Sequence, residues 1–363
     1  MFDENGQAAG LRRERSLGSR QFRDGAFHNT APVAAGLKGT PLPLLGEYFF
    51  GGEERVPQAA LPVDDPRPAW LRPAETGLRA TWLGHSTVLL EIDGVRVLTD
   101  PVFGERASPV SFAGPRRFHR VPVGVEGLPP LDAVLISHDH YDHFCAGTVR
   151  ALASRGVPFV TSLGVGVHLA ALGVPASQIV ELDWWESHEV RGLSLTAAPA
   201  QHFSGRGLAR NRTLWSSWAL RGERHRVFFS GDTGLTEEFR EVGARLGPFD
   251  LVMLEVGAFH PFWGDIHLGP ENALAAHRML GGGALMPVHW GTFNLALHAW
   301  DEPVETLWAQ AAGARLFTPR LGNPSEPARV EHPTAWWRAL GQPVGLPAIP
   351  LSEAGAVLPG PRR

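Results

Sequence analysis

The sequence of 363 residues is poor in cysteine and lysine, and each shortage excludes a class of chemistry. Cys145 is the only cysteine, which rules out an intramolecular disulfide, a CxxC redox pair and a thiolate-rich zinc or iron–sulfur site. Lys38 is the only lysine among 33 basic residues, and neither a P-loop nor a Schiff-base motif surrounds it. A metal ion would therefore bind nitrogen and oxygen ligands, of which 16 histidines supply many.

Two further absences concern membranes and nucleic acids. No run of about 20 apolar residues occurs, as a membrane-spanning helix would require. Charged residues interrupt positions 1–21, where a secretory signal needs a continuous apolar core. The sequence therefore predicts a cytoplasmic protein, with peripheral contact at the inner membrane surface as an open alternative. The net charge of -4 lacks the signature of a nucleic-acid-binding protein, so no nucleic acid partner is expected.

Changes in composition divide the chain into three parts. Residues 1–75 are rich in Gly, Pro and Arg and predict an irregular N-terminal lead-in, with one apolar patch at 41–50 that would pack on the main domain or touch a bilayer. Residues 76–325 alternate strand and helix patterns and form the predicted main domain. Residues 326–363 are Pro-rich and predict a C-terminal tail that wraps the surface.

The strand and helix patterns favour a layered α/β fold. Hairpin signals come first, the strongest being the Asp93-Gly94 turn, and helical patterns separate the later strands. Helices are predicted near 146–155, 164–172, 235–246 and 270–280. Strands are predicted at 78–83, 86–92, 95–100, 133–137, 158–161, 193–197, 214–220, 226–230, 251–256 and 284–288.

A cluster of metal-binding residue types follows the apolar run at 132–137. It reads His138-Asp139-His140-Tyr141-Asp142-His143, an HxHxDH pattern with five groups that can bind a metal. A loop at the end of a strand directs neighbouring side chains to different sides. His138 and His140 can therefore bind one ion, while Asp142 and His143 reach a second. The alternative is a solvated, histidine-rich turn.

Three later residues occupy the same position just past an apolar run, namely His202, Asp232 and His289. Together with the HxHxDH residues they provide seven ligands, whereas one zinc ion takes about four. Two ions account for the number. The first would be held by His138, His140 and His202, the second by Asp142, His143 and His289, with Asp232 as the bridge. Zinc suits these donors, but so do iron and manganese.

A series of motifs in a fixed order carries a family resemblance. These motifs are TWLGHST, LTDPVF, RASPVSFAGPRRF, LISHDHYDH, IVELDWWE, PAQHFS, LWSSWAL, FFSGDTG, GPFDL and PVHWGTF. From about residue 78 to 303 the chain resembles the metallo-β-lactamase superfamily. Within it, the chain resembles the phospholipases D that hydrolyse N-acylphosphatidylethanolamine. The resemblance implies an α/β fold of the αββα sandwich type, with two central mixed sheets flanked by helices and the metals at one edge.

The resemblance also implies roles for individual residues. It places two Zn²⁺ on the same seven ligands, His138, His140, Asp142, His143, His202, Asp232 and His289. It places Tyr141 and His267 against the lipid substrate, and it makes Asp142, Asp232 and His267 the catalytic residues. Asp100 would support a ligand histidine and His85 would line the cleft, although both also suit ordinary turn residues.

The function implied by the resemblance is hydrolysis of a phosphodiester. A hydroxide held between two metals would attack phosphorus, and an N-acylated phosphatidylethanolamine would yield phosphatidic acid and an N-acylethanolamine. Two groups of arginines would pair with the phosphate or lie solvated at the surface: Arg116, Arg117 and Arg120, and Arg206, Arg210 and Arg212. A lactonase, another phosphodiesterase of the superfamily and a non-catalytic metal-binding protein stay open as alternatives, as does a homodimer.

Overall fold

The structure is a computed structural model that describes residues 4–33 and 51–340, apart from residues 208, 261, 262, 264 and 312. The apolar patch at 41–50 lies outside the described residues. The helices are α1 (Glu4–Gly18), α2 (Arg67–Trp70), α3 (Ala146–Ala153), α4 (Gly166–Ala171), α5 (Glu238–Leu246), α6 (Gly269–Met279) and α7 (Glu302–Gln310). Within the described ranges, none of these helices is both long and apolar enough to cross a bilayer.

Most strands belong to two large sheets, and β1 and β2 pair with each other near the N-terminus. The strands are β1 (Phe22–Arg23), β2 (Ala26–Phe27), β3 (Leu78–Gly84), β4 (Thr87–Ile92), β5 (Val95–Thr99), β6 (Ala133–Ile136), β7 (Phe159–Ser162), β8 (Ile179–Leu182), β9 (Ser187–Val190), β10 (Leu193–Ala198), β11 (Ser217–Arg221), β12 (Arg226–Phe229), β13 (Leu251–Glu255), β14 (Ala284–Val288), β15 (Arg315–Leu316) and β16 (Pro324–Ser325).

Each large sheet has seven strands and is mixed. One sheet has the order β16-β3-β4-β5-β6-β7-β8, and its strands β5 to β8 are parallel. The other sheet has the order β15-β14-β13-β12-β11-β10-β9, and its strands β12 to β15 are parallel. Parallel neighbours need crossover connections, and α3 to α7 lie in these crossovers. Two mixed sheets flanked by helices confirm the predicted αββα sandwich.

The pleat of each central strand sends alternate side chains into two different cores. In β6, Ala133 and Leu135 join the cluster shared by the two sheets, whereas Val134 and Ile136 face the cluster that contains α3 and α4. Both faces of β6 are thus covered, which explains why the strand is a continuous apolar run rather than an alternating one.

The N-terminal lead-in differs from its prediction, since residues 4–18 form α1. Between its glycines the segment is rich in Glu, Gln, Ala, Leu and Arg, all strong helix formers, and their summed propensity outweighs that of Gly10. Arg15 anchors the helix to the domain, because its guanidinium donates hydrogen bonds to the carbonyl oxygen of Glu181 and to the carboxylate of Glu186. The composition at 1–75 masked this local preference.

The tail also differs from its prediction, because part of it enters the core. Trp336 and Trp337 are buried in the large cluster that joins both sheets to α5, α6 and α7, and the indole Nε1 of Trp337 donates to Glu305 Oε1 on α7 at 2.6 Å. The rings of Trp290 and Trp308 lie edge-on to Trp337, with centroids 5.5 Å away in both cases. Proline content indicated an irregular backbone but did not reveal these two side chains.

The burial of Trp337 yields a stability prediction. Replacing Trp337 with Ala should lower the free energy of unfolding by about 3–5 kcal/mol, because it leaves a large cavity and removes a buried hydrogen bond. Chemical denaturation monitored by circular dichroism measures the change. The control is Leu71→Ala at a side chain that is 86% exposed, which should alter stability by about 0.5 kcal/mol at most. Equal effects of the two substitutions would contradict the packing role of the tail.

Candidate metal centre

The polar residues of the site all follow strands that run in one direction. Strands that run in the same direction end at the same edge of a sheet. This holds for two parallel neighbours and for two strands that lie on either side of one antiparallel strand. At this edge lie His85 after β3, Asp100 after β5, residues 137–143 after β6, His202 after β10, Asp232 after β12, Glu255 at the end of β13 and His289 after β14. The sandwich thus brings together side chains that are far apart in the sequence.

A first group of donors consists of three histidines and one carboxylate. Nδ1 of His140 lies 2.8 Å from Nε2 of His138 and 3.3 Å from Nε2 of His202. Oδ2 of Asp232 lies 3.8 Å from Nε2 of His138 and from Nε2 of His202. All four donor atoms fall within 4.8 Å of one another, which is close enough for a single cation to bind them together.

A second group lies beside the first and contains His85, Asp142, His143 and His289, again with donor atoms within 4.8 Å. Oδ2 of Asp142 lies 3.4 Å from Nε2 of His143 and 3.2 Å from Nε2 of His289. Oδ2 of Asp232 reaches the same two nitrogens, at 3.1 Å and 3.2 Å. Asp232 therefore contacts both groups, and the seven residues predicted from the sequence converge.

The second group has one more member than the sequence predicted. Nε2 of His85 lies 3.0 Å from Oδ2 of Asp142, and the ring of His85 lies 4.0 Å from that of His289, centroid to centroid. The backbone also ties these residues, because the N–H of His289 donates to the carbonyl oxygen of His85 at 3.1 Å. His85 thus contacts two predicted ligands, whereas its predicted place in the lining of a cleft stays a prediction.

The chemistry of these donors fits bound cations. Oδ1 of Asp232 and Nε2 of His143 are buried and have no hydrogen-bond partner, although buried polar atoms are nearly always paired. In the first group, Nε2 of His138 and Nδ1 of His140 lie 2.8 Å apart and, when both rings are neutral, can share only one proton. Nε2 of His202 lies close to the same nitrogen of His140, at 3.3 Å. Converging lone pairs and unpaired carboxylate oxygens are what a divalent ion with nitrogen and oxygen ligands requires.

Asp100 orients two of the histidines through their other ring nitrogens. Its Oδ2 accepts the Nδ1–H of His143 at 2.6 Å and the Oγ–H of Ser137 at 2.6 Å, and its Oδ1 accepts the N–H of Ser137 at 2.7 Å. Because the Ser137 hydroxyl donates to Asp100, its oxygen accepts the Nδ1–H of His138 at 2.9 Å. The Nδ1–H of His202 donates to the carbonyl oxygen of Ile266 at 2.8 Å. Each Nε2 is thereby left free to bind a metal.

The backbone is strained where three of these side chains turn inward. His85, Asp100 and His289 have positive φ angles of 55°, 33° and 64°, a region that costs non-glycine residues about 1–3 kcal/mol each. Gly257 allows another close approach, because a Cβ there would lie 2.1 Å from the carbonyl oxygen of His289. The concentration of strain at one edge is typical of a functional site.

Burial and neighbouring charges shift the pKa values at the site in opposite directions. Burial raises the pKa of Asp232, but the adjacent His143 and His289 outweigh it and hold that pKa well below its usual range. Burial lowers the pKa of His289, but Asp232 and Asp142 outweigh it and raise that pKa to about 10. In His138 burial dominates, and its pKa falls well below the usual histidine value. The first group is therefore neutral at its histidines, and the second holds protons that a cation would displace.

The two predicted lipid-contacting residues lie in different surroundings. His267 contacts the site, with its ring centroid 5.1 Å from that of His202, and its Nδ1–H donates to Oε2 of Glu255 at 2.7 Å. Tyr141 is half-buried in the HxHxDH loop, and the guanidinium of Arg206 covers its ring at 4.1 Å. Arg206 is not a freely solvated charge, because it also donates to the carbonyl oxygen of Asp139 at 2.6 Å.

Sequence reasoning missed Glu255, although a signal was present. Glu255 is the one charged residue in the strand LVMLE and ends it, the same placement that identified Asp232 and His289. The residue is fully buried and belongs to a third group of donors within 4.8 Å, together with Asp232, His267 and His289.

A large trough is separated from the donor groups by Phe293, which lies edge-on to His85 with ring centroids 5.3 Å apart. The guanidinium of Arg117 lies 4.9 Å above the same ring and lines the trough. The trough has a volume of about 1260 Å³ and an amphipathic lining that includes Phe103, Arg116, Arg117, Arg120, Leu295 and Leu297. A ligand with both anionic and apolar parts fits such a lining.

A sandwich of two mixed sheets with histidines and aspartates at a shared edge defines a metal-dependent hydrolase. Residues 95–290 match a family model described as a β-lactamase superfamily domain. The chain belongs to the metallo-β-lactamase superfamily.

Comparisons with individual proteins agree with this membership. The chain is 47% identical over 329 residues to an uncharacterised protein of Mycobacterium tuberculosis, covering 88% of both chains. It is 40% identical over 235 residues to N-acyl-phosphatidylethanolamine-hydrolyzing phospholipase D 1 of Caenorhabditis elegans, covering 61% of this chain and 66% of that protein. The fold is similar to that of an isothiocyanate hydrolase from Delia radicum gut bacteria, with a TM-score of 0.55, 23% identity, and coverage of 68% of this chain and 98% of that one.

The protonated histidines of the second group predict a pH-dependent affinity for cations. Below its pKa of about 10, His289 must lose a proton before Nε2 can bind a metal, so protons compete with the cation. Zinc affinity should rise about tenfold per pH unit, between about pH 6 and pH 8, for each proton displaced. Competition with a chromogenic chelator measures it. An affinity independent of pH would contradict the charge distribution of the site.

Proposed function

We propose that this protein is a dizinc phosphodiesterase of the phospholipase D type that hydrolyses N-acylphosphatidylethanolamine to phosphatidic acid and an N-acylethanolamine. The observation that carries the proposal is the position of Asp232 between two donor groups. An amphipathic trough lined by arginines lies beyond Phe293, whose ring contacts His85 of the second group. Identity of 40% to the nematode phospholipase supports the same substrate class. The complete set of donors argues against a non-catalytic metal-binding role.

In such a hydrolysis, some residues of the site would hold the cations and others would orient the ligand rings. His138, His140, His202 and Asp232 would hold one cation, and Asp142, His143, His289 and Asp232 the other. When bound, a pair of divalent cations lowers the pKa of a water molecule and neutralises charge on phosphoryl oxygens. Asp100 and Ser137 keep the ligand rings in place, so little reorganisation is needed as charge develops.

His267 is the group suited to protonate the leaving alcohol. Burial lowers its pKa, but the Glu255 carboxylate outweighs this effect and raises the pKa above the usual histidine value. With Nδ1–H bound to Glu255, a second proton lies on Nε2 of the protonated ring. As water adds to phosphorus and the phosphorus–oxygen bond to the ethanolamide breaks, that proton passes to the departing oxygen.

The outer rim of the trough suits a phospholipid surface. Phe112 is 81% exposed and Val110 is 39% exposed, and both belong to the loop that carries Arg116 and Arg120. An exposed aromatic residue next to arginines matches the boundary between acyl chains and anionic headgroups. We therefore include peripheral contact with the inner membrane surface in the proposal.

Substrate hydrolysis tests the proposed function. Zinc-loaded protein should convert N-acylphosphatidylethanolamine in mixed micelles into equal amounts of phosphatidic acid and N-acylethanolamine, as measured by mass spectrometry. Phosphatidylethanolamine without the N-acyl group serves as the matched control for substrate specificity. A panel of lactones and bis(p-nitrophenyl) phosphate separates the alternatives of the same superfamily. Hydrolysis of lactones alone would overturn the proposal.

The arginines of the rim generate a second prediction. Arg116→Gln and Arg120→Gln should each raise KM for the anionic phospholipid about 2–5-fold and leave kcat unchanged, because exposed ion pairs contribute about 0.2–1 kcal/mol. The control is Arg221→Gln, an exposed arginine at the end of β11. If KM responds equally to all three substitutions, or to none of them, the rim does not bind the headgroup.

A further inference from the structure

Glu255 is a fully buried carboxylate whose two oxygens have different tasks. Oε1 accepts the backbone N–H of Thr233 at 2.7 Å and that of Leu268 at 3.3 Å, which connects β13 to the Asp232 turn and to the start of α6. Oε2 faces imidazole rings instead. One half of the carboxylate therefore supports the backbone, and the other half faces the site.

Oε2 of Glu255 is hydrogen-bonded to one histidine and lies near a second, unpartnered one. Nδ1 of His267 donates to it at 2.7 Å, and Nδ1 of His289 lies 3.8 Å from it. Nδ1 of His289 is buried and has no hydrogen-bond partner in the structure. The rings of His267 and His289 lie side by side, with an interplanar angle of 30° and centroids 5.5 Å apart. Oε2 of Glu255 is therefore near Nδ1 of both rings, and a small shift of the His289 ring would bring its Nδ1–H into hydrogen-bond distance.

We propose that Glu255 is a positioning residue that orients His289 for cation binding and His267 for contact with the substrate. With Nδ1–H of each ring directed at Oε2, Nε2 of His289 presents its lone pair to the second donor group and Nε2 of His267 faces the cleft. The part concerning His289 depends only on the donor group, whereas the part concerning His267 rests on the proposed function.

If Glu255 served only to support the backbone, its Oε1, which accepts two backbone N–H groups, would be sufficient. Glu255 is surrounded by backbone N–H groups and imidazole rings, and it lies near the charged Asp232, which opposes a second negative charge. Support of two backbone N–H groups alone could be given by a neutral amide at lower desolvation cost. An Oε2 that accepts from His267 and lies 3.8 Å from the unpartnered Nδ1 of His289 accounts for a carboxylate at this position, because metal-binding histidines usually donate their other ring N–H to such a group.

The substitution Glu255→Gln distinguishes the backbone-supporting role of Oε1 from the histidine-facing role of Oε2. The amide oxygen can still accept the N–H groups of Thr233 and Leu268, whereas the amide nitrogen would face two Nδ1–H donors and accept neither. The control is Glu181→Gln, another buried carboxylate, which accepts the N–H of Gly166 at 2.8 Å in the other sheet. Both variants should keep the thermal stability of the zinc-free protein to within a few degrees.

Zinc binding is the first readout and needs no substrate. Chelator competition should show that Glu255→Gln weakens binding of one of two zinc ions by about 10–100-fold, whereas Glu181→Gln leaves both unchanged. Affinity equal to that of the wild type for both ions would overturn the proposal. Because this readout does not involve hydrolysis, it gives an answer even if N-acylphosphatidylethanolamine is not the substrate.

The dependence on leaving group is the second readout. Nitrophenolate departs without a proton, so Glu255→Gln should lower kcat for N-acylphosphatidylethanolamine about tenfold more than kcat for bis(p-nitrophenyl) phosphate. Equal losses would overturn the part concerning His267. If Glu255→Gln does not fold, a zinc-loaded crystal structure of the wild type decides instead. Oε2 within about 3.2 Å of both Nδ1 atoms supports the proposal, and a different acceptor for either ring overturns it.

Discussion

The contact of one carboxylate with two groups of histidines is the interaction on which the site depends. Oδ2 of Asp232 lies within 3.8 Å of four imidazole nitrogens, contributed by loops after β6, β10 and β14. Such a meeting point requires the two sheets to end their strands at one common edge. The αββα sandwich satisfies this requirement, because each sheet contributes strands that run towards that edge.

Charge balance explains why so many ionisable groups can be buried together. Isolated buried carboxylates are costly, and here each one faces imidazole rings or backbone N–H groups. Protons on His143 and His289 offset the charges of Asp142 and Asp232, and divalent cations would replace those protons. Asp100 and Glu255 balance charge in the same way one layer further from the donor groups. Each accepts a hydrogen bond from a histidine ring whose other nitrogen faces the donor groups.

The sequence predicted which side chains converge better than it predicted their surroundings, for physical reasons. His202, Asp232 and His289 each follow a long apolar run, so burial of the strand determined where the side chain would emerge. Strand β9 was missed because its pattern, SHEV, is largely exposed and short. Helix α1 and the buried Trp336 and Trp337 lie in segments whose composition is dominated by Gly, Pro and Arg. The local helix propensity of α1 was masked by the composition of the longer segment, whereas the burial of Trp336 and Trp337 depends on tertiary contacts that local patterns do not contain.

The number of cations bound per chain tests the central claim most directly. Elemental analysis of protein equilibrated with saturating zinc and then freed of excess metal counts them. The arrangement around Asp232 predicts two zinc ions per chain, one for each donor group. A maximum of one ion per chain under saturating supply would contradict the account.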